Sequence, residues 1–163
     1  QRVEYLVSNL GPSMQRGYDK AVNKFSRNLL AIVKKSLTLG IPPMGGGVTW
    51  QPLSQATIKR WGQHPIYNLT GLYSRSVGLY RYKSRVLIGL PIGTRRSSQK
   101  KLTLNQLARI LEFGSNDGRI PPRPVWAPSL KAVGGKNKLK QLILTEIRKE
   151  LQNYGVRPNQ VKW

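Results

Sequence analysis

The longest amphipathic pattern in the chain, from Ser13 to about Leu39, constrains the fold more than any other segment. Its apolar residues recur at steps of three and four positions, while lysines and arginines occupy the other positions. This spacing predicts a helix that buries one side and exposes cations on another, and Gly40 is placed to end it. The apolar stripe consists of Tyr18, Val22, Phe25, Leu29, Ile32, Val33 and Leu37.

A corner of two capped turns follows between residues 50 and 76. Ser54 can accept hydrogen bonds from the first turn of a short helix, and Gly62 can end that helix in a left-handed conformation. Thr70 can cap a second short helix in the same way. The alternating residues of 77–92 then predict an antiparallel hairpin.

Two further helices and a proline-rich segment are predicted in the second half of the chain. Thr103 can cap a helix that reaches Phe113, and Gly114 is placed to stop it. The prolines of 115–129 fix extended backbone and remove donors, so this segment is either an edge segment or an arm laid across a neighbour. A final helix is expected over about 137–154.

These elements predict an α+β fold, in which a small antiparallel sheet is flanked by a long N-terminal helix and a C-terminal helix, with long Pro/Gly-rich loops. A length of 163 residues favours one domain. Within it we expect a short strand or arm at 1–12, the body of the domain at 13–154 and a C-terminal tail at 155–163. The apolar runs are too short to span a bilayer, so a soluble protein without membrane contact is expected.

The charge of the chain is far from balanced. Twenty-eight Lys and Arg residues stand against six Asp and Glu residues, which leaves a formal charge of +22. Self-repulsion of this size destabilises a compact monomer unless polyanions or counter-ions are near, so nucleic acid is the first partner to consider and an acidic protein surface the second. The chain has no cysteine, which excludes disulfides, a thiol nucleophile and a cysteine-based zinc site.

Catalytic groups are scarce, and the sequence predicts neither an enzyme nor a cofactor or metal site. The six acids are scattered along the chain, so a paired-carboxylate or two-metal site would need distant residues to converge. His64 precedes Pro65 in a turn and is interpreted as structural. Gly45 to Gly47 lack the Lys-Ser/Thr ending of a phosphate-binding loop and are interpreted as a flexible connection.

Glu112 stands out as a lone acid at the end of a predicted helix in a basic protein. Two interpretations are left open. The carboxylate could pair with an arginine such as Arg123, within the chain or between subunits, or it could be a solvated surface charge.

The basic residues predict contact with phosphate rather than with bases, because no base-reading motif is visible. The candidates for binding DNA phosphate or an acidic partner are Arg95, Arg96, Lys100, Lys101, Lys131, Lys136, Lys138 and Lys140. The first three tryptophans, Trp50, Trp61 and Trp126, are expected to pack in the core or in an interface.

Four pieces of sequence, taken in order, resemble the virion-morphogenesis and tail-completion family of tailed bacteriophages. The resemblance covers roughly residues 13–154. The pieces are Trp50-x-Pro52-Leu53-Ser54-x-x-Thr57-x-Lys59, then Leu69-Thr70-Gly71-Leu72-x-x-x-Ser76 before a hairpin, then Ala108 to Glu112-Phe113-Gly114, and finally Ile120-Pro121-x-Arg123-Pro124 before a terminal helix.

The resemblance implies a non-enzymatic virion protein that forms a ring, usually a hexamer, at the head–tail junction. As a tail terminator or neck protein it would cap the tail tube and join it to the connector around the DNA channel, after assembly in the host cytoplasm. Subunit contacts would then involve Pro121, Arg123, Pro124 and Trp126. The basic loop after Ile92 and the size of the charge exceed what a tube cap needs, and they leave a neck position nearer the portal open.

Two other functions are weighed against this one. The first is a non-sequence-specific DNA-binding or packaging protein, whose basic helices would contact phosphate as a monomer or dimer. The second is a nuclease, which would require a carboxylate cluster that includes Asp117 or Glu112. The scattered acids argue against the nuclease.

Overall fold

The computed structural model describes residues 2–65, 71–82, 85–91 and 103–154. In these ranges the chain forms six helices and one two-stranded antiparallel sheet, which confirms the predicted α+β class. The elements are α1 (Arg2–Leu39), α2 (Gln55–Trp61), α3 (Leu72–Ser76), β1 (Gly78–Tyr82), β2 (Arg85–Gly89), α4 (Leu104–Phe113), α5 (Trp126–Ala132) and α6 (Gly135–Asn153).

Helix α1 begins much earlier than the sequence predicts, since it includes the segment expected to be a strand or arm at 1–12. The helix passes through Pro12. A residue before proline is normally pushed out of helical geometry by a clash at its Cβ, and Gly11 has no Cβ to clash. The predicted end is confirmed, because Gly40 has φ +65° and its N–H donates to the Ser36 carbonyl at 2.9 Å.

The described part of the chain divides into two compact units, and the single domain expected from the length stays a prediction. The first contains residues 1–27 and 134–163, and the second contains residues 28–133. In the first unit α1 and α6 approach closely at Gly17, where an added Cβ would lie 2.6 Å from the Ile147 Cα. The residues buried in this unit include Ala21, Phe25, Ile147 and Leu151.

The second unit has its own apolar core. Buried residues from the end of α1, from α3 and from the segment before α5 meet there. The core consists of Val33, Leu37, Tyr73, Val77 and Val125, and Trp50, Leu111 and Trp126 pack against it with several other half-buried residues.

The predicted hairpin is confirmed. Leu79 lies opposite Ile88 and Tyr80 opposite Leu87 in an antiparallel register that runs from Gly78 against Gly89 to Tyr82 against Arg85. Each of the two strands therefore has one edge that pairs with no other described strand.

Four of the predicted helix caps and stops are confirmed. Ser54 caps α2, accepting from the Thr57 N–H at 3.2 Å, and Gly62 ends that helix. Thr103 and Gln106 form a capping box at the start of α4, and Gly114 ends α4 with φ +84°. At α3 the cap is Gly71, with φ +65°, while the predicted cap Thr70 lies outside the described residues, as does Leu69.

The prediction for 115–129 is wrong at its C-terminal end, because residues from Trp126 onwards form α5. Pro128 is compatible with this helix because it lies in the first turn, where backbone N–H groups have no partner within the helix. The prediction of α6 is confirmed to within two residues, since that helix runs from Gly135 to Asn153 rather than over 137–154.

The glycine connection packs on α5. Gly46 is buried, and an added Cβ there would lie 2.6 Å from the Pro128 Cβ. Gly45 lies beside Ala132, because a Cβ added to Gly45 would lie 3.8 Å from the Ala132 Cβ. The interpretation of this segment as a merely flexible connection is therefore replaced by that of a packed loop, in which Gly46 leaves no room for a side chain.

Candidate functional site

Five carboxylates form contacts within the chain, namely those of Asp19, Glu112, Asp117, Glu146 and Glu150. Glu150 is only 6% exposed, and it pairs with Lys20 and with the Arg16 Nε at 3.4 Å. The hydrogen bond from Lys20 holds the pKa of Glu150 below its usual value, and Arg16 acts in the same direction. Among the other acids, Asp19 accepts from the Gln15 amide, Asp117 from the Ser115 hydroxyl and the Arg119 N–H, Glu146 pairs with Lys149, and Glu112 accepts from the backbone.

These contacts give the acids structural roles. Asp117 has its pKa lowered by hydrogen bonds from Ser115 and Arg119, which form a tight local turn. In the part of the chain that the structure covers, no three His, Asp or Glu side chains lie close enough together to hold a metal ion.

The residues of the sequence motifs converge in the second unit. We call Trp50, Pro52, Glu112, Arg123 and Trp126 the motif cluster. The Trp50 Nε1–H donates to the Pro124 carbonyl at 3.1 Å, and this hydrogen bond links the corner at 50–76 to the proline-rich segment at 115–129. The cluster joins three stretches that are far apart in the sequence.

Arg123 forms a second set of hydrogen bonds between the segments of the cluster. It is 6% exposed, and its guanidinium donates to the Gln51 and Pro52 carbonyls, each at 3.2 Å. Its backbone N–H donates to the Leu111 carbonyl at 2.8 Å. A buried charge requires hydrogen-bond partners, and here backbone carbonyls are among those partners.

Glu112 has a role that neither interpretation from the sequence included. Its half-buried carboxylate accepts from the Val125 N–H at 2.8 Å and from the Trp126 N–H at 3.1 Å. These two N–H groups lie at the start of α5, where the helix itself offers them no acceptor. The carboxylate is therefore a cap supplied by α4 to another helix, and its negative charge also suits the positive end of the helix dipole.

Tyr73 connects the motif cluster to the core. Burial raises its pKa to about 12, against a smaller opposite effect of the hydrogen bond from the Trp126 side chain, while the nearby charge of Glu112 adds to the rise. The phenol therefore stays neutral at physiological pH and acts as a packed hydrogen-bonding group.

Phe113 is an exposed apolar residue of the motifs, with 75% of its surface accessible. Two open concavities flank it. One of about 910 Å³ is lined by residues of α4 together with the turn at 114–117, and one of about 360 Å³ includes Ala108, Glu112, Trp126 and Ala127.

The other motif residues serve local structure. The Thr57 hydroxyl lies 2.8 Å from that of its cap, Ser54, and the Ser76 carbonyl accepts from the Tyr80 hydroxyl at 3.2 Å. Leu53 is half-buried. An added Cβ on Gly114 would lie 3.0 Å from the Ile120 carbonyl oxygen, so glycine is needed there.

The predicted interface residues make contacts inside their own chain. Arg123 is buried, while Pro121, Pro124 and Trp126 are half-buried. Their assignment to a subunit interface stays a prediction, and only their partly exposed surfaces are available for it.

The predicted phosphate contacts fall into two groups. Lys131 on α5 and Lys136, Lys138 and Lys140 on α6 are exposed. The loop candidates Arg95, Arg96, Lys100 and Lys101 lie outside the described residues. Residues 28–133 contain 16 Lys and Arg against two acids, Glu112 and Asp117, so most of their positive charge has no carboxylate to neutralise it.

Two features of the second unit were not anticipated from the sequence. Lys35, on α1, places its Nζ 3.9 Å from the Met44 Sδ, beside the glycine loop. Lys131 lies beside the same loop from α5, since its Nζ is 3.2 Å from the point that a Cβ added to Gly47 would occupy. The sequence shows the three consecutive glycines, but it does not show that residues of two distant helices contact them.

Comparison with protein-family models, with curated proteins and with solved structures found no match to this chain. Across the described helices, none combines the length and the apolar character that crossing a membrane requires.

Proposed function

We propose that the chain is a structural, non-enzymatic protein of a tailed-phage virion that forms a ring at the head–tail junction, as a tail terminator, tail-completion or neck protein. The observation that carries the proposal is the motif cluster. Trp50, Glu112 and Arg123 belong to separate pieces of the family resemblance, and they are fastened to one another through backbone hydrogen bonds. Convergence of this kind supports the resemblance, which the sequence carries only as an ordered set of short motifs.

The chemistry of the cluster supports a structural role. Its charged groups are Glu112 and Arg123, and the contacts described for both go to backbone N–H groups and carbonyls. A catalytic group needs access to a substrate and a tunable proton, whereas these two hold segments of chain together.

Self-association would use surfaces that the chain leaves open. Each strand of the hairpin has an edge that pairs with no other described strand, and such an edge can extend a sheet into a neighbouring subunit. Phe113 and its flanking concavities offer an apolar contact, and the terminal helices offer a third surface. The partners of the ring would be the tail tube, the head–tail connector and the viral DNA that passes through the channel.

A second candidate function, a non-sequence-specific DNA-binding or packaging protein, is favoured by the unneutralised cations. Lys136, Lys138 and Lys140 are exposed, and none forms an ion pair with a described carboxylate. Such a surface binds phosphate with an affinity that falls steeply with salt.

The mass of the purified protein in solution distinguishes the two functions. It is measured at moderate and at high salt, with and without short duplex DNA. A closed ring of several subunits without DNA, which also binds isolated tails or connectors, supports the first proposal. A strict monomer that binds neither tails nor connectors refutes it, and a monomer that gathers only on DNA supports the second.

A further inference from the structure

The glycine loop and two lysines form a second feature of the 28–133 unit, separate from the motif cluster. Pro43 to Gly46 make a tight turn, in which the Gly46 N–H donates to the Pro43 carbonyl at 3.0 Å. Gly45 has φ +78°, as the third residue of a type II turn requires, and Gly47 is left-handed too, with φ +69°. A concavity of about 450 Å³ lies along residues 42–49.

Backbone donors are available at this loop. The N–H of Gly46 closes the turn, whereas those of Gly45, Gly47 and Val48 have no acceptor in the described part of the chain. Consecutive N–H groups around left-handed residues form concavities that bind anions. Neither glycine has a side chain to obstruct such an approach.

Two ammonium groups from different helices stand beside these donors. The Lys35 Nζ lies 3.9 Å from the Met44 Sδ, and the Lys131 Nζ lies 3.2 Å from the point that a Cβ added to Gly47 would occupy. Neither lysine pairs with a carboxylate in the described ranges. The only acids between residues 28 and 133, Glu112 and Asp117, are engaged elsewhere by Val125, Trp126, Ser115 and Arg119.

We propose that the loop of residues 42–49, flanked by Lys35 and Lys131, binds a phosphate group of a nucleic-acid backbone. Backbone N–H groups and lysines contact phosphate without reading bases, so the site takes any sequence. The concavity is open on the protein surface, which suits a phosphate presented by a continuous strand. The inference does not depend on ring formation, since every contact that it uses lies within one unit of one chain.

The test compares two double variants that lose the same charge. Lys35→Gln with Lys131→Gln removes both ammonium groups beside the loop. Lys24→Gln with Lys34→Gln removes two exposed cations of α1 for which no contact with the loop is described. Binding of a labelled duplex is measured by fluorescence anisotropy over a range of salt. Each neutralised phosphate contributes about 0.9 to the slope with which log affinity falls against log salt, so the loop variant, which loses its one phosphate contact, is expected to lose roughly 0.9 and the control much less.

A second measurement locates the contact directly. In protein labelled with ¹⁵N-glycine, the amide signals of Gly45 and Gly47 are expected to shift on addition of duplex in the wild type and in the control variant. They are expected to stay in place in the loop variant. Gly45→Ala and Gly47→Ala each remove one signal and so identify it.

Three results would overturn the inference. The first is equal loss of salt slope in the two double variants, and the second is duplex binding that leaves both glycine signals unmoved. The third is an equal shift with inorganic phosphate at the same phosphate concentration, which would make the loop a site for small anions. Ring formation is measured without DNA, so failure of the ring proposal and failure of this one are distinguishable.

Discussion

Removing the Glu112 carboxylate should destabilise the second unit by an amount that the hydrogen bonds of that group determine. The carboxylate accepts from two N–H groups, at 2.8 Å and 3.1 Å. A hydrogen bond to a charged group contributes roughly 1.5–3 kcal/mol, and half-burial places each of these at the lower end. Glu112→Ala is therefore expected to cost about 3 kcal/mol. Glu112→Gln keeps one neutral acceptor, which contributes about 1 kcal/mol, and should cost about 2 kcal/mol.

Urea denaturation followed by tryptophan fluorescence measures this cost, because Trp50 and Trp126 both pack against the affected core. For a chain of this size a loss of about 2 kcal/mol corresponds to a fall in Tm of roughly 4–8 °C. Far-UV circular dichroism is expected to show that most of the helix content remains in the folded variant.

Glu146→Gln is the matched control. It makes the same chemical change on α6, where Glu146 pairs with the exposed Lys149 at 3.5 Å. A surface pair of this kind contributes less than about 1 kcal/mol. If Glu112→Gln costs no more than Glu146→Gln, the carboxylate does not hold the start of α5 and the capping role is refuted.

Three further predictions concern other parts of the fold. Gly17→Ala should lower the free energy of unfolding by about 1–3 kcal/mol, because the new Cβ would overlap the α6 backbone. The control, Asn28→Ala at an exposed position of the same helix, should change it by less than about 0.5 kcal/mol. Equal unfolding midpoints for the two variants would contradict the close helix contact. The hydrogen bond from Lys20 lowers the pKa of Glu150, so the stability that this pair contributes is present above the ordinary glutamate pKa and is lost as pH falls below it. Glu150→Gln should therefore flatten the dependence of unfolding free energy on pH in that range. An unchanged slope would refute the pairing. Burial raises the pKa of Tyr73 to about 12, so the stability that the neutral phenol contributes is present below about pH 10 and is lost as pH rises towards 12. Tyr73 should therefore not ionise below pH 11, and Tyr73→Phe should leave the phenolate absorbance gained up to that pH unchanged. A decrease of that absorbance by one tyrosine would contradict the burial.

The parts of the fold that the sequence predicts well are those fixed by local hydrogen bonds. Ser54, Thr103 and the glycines at 40, 62 and 114 act within a few residues of their own position, so the chain order alone identifies them. The sequence does not identify the start of α1, because Val3, Tyr5 and Val7 form too short an apolar run to distinguish a strand from a helix.

The roles of the candidate site residues depend on contacts between distant segments. Glu112 was recognised as unusual from the sequence, but its acceptor role requires α5, which the prolines of that segment concealed. The glycine loop likewise acquires its structure from Pro128 and its cations from Lys35 and Lys131. No spacing within 42–49 indicates any of these partners.

The scarcity of carboxylates gives this protein an unusual response to acid. Here the carboxylates of Asp117 and Glu150 already serve as hydrogen-bond acceptors and ion-pair partners, so protonating either one removes a structural contact and raises the net positive charge at the same time. Acidification should therefore loosen the protein while increasing its attraction for phosphate, and bound polyanion should widen the pH range over which it stays folded.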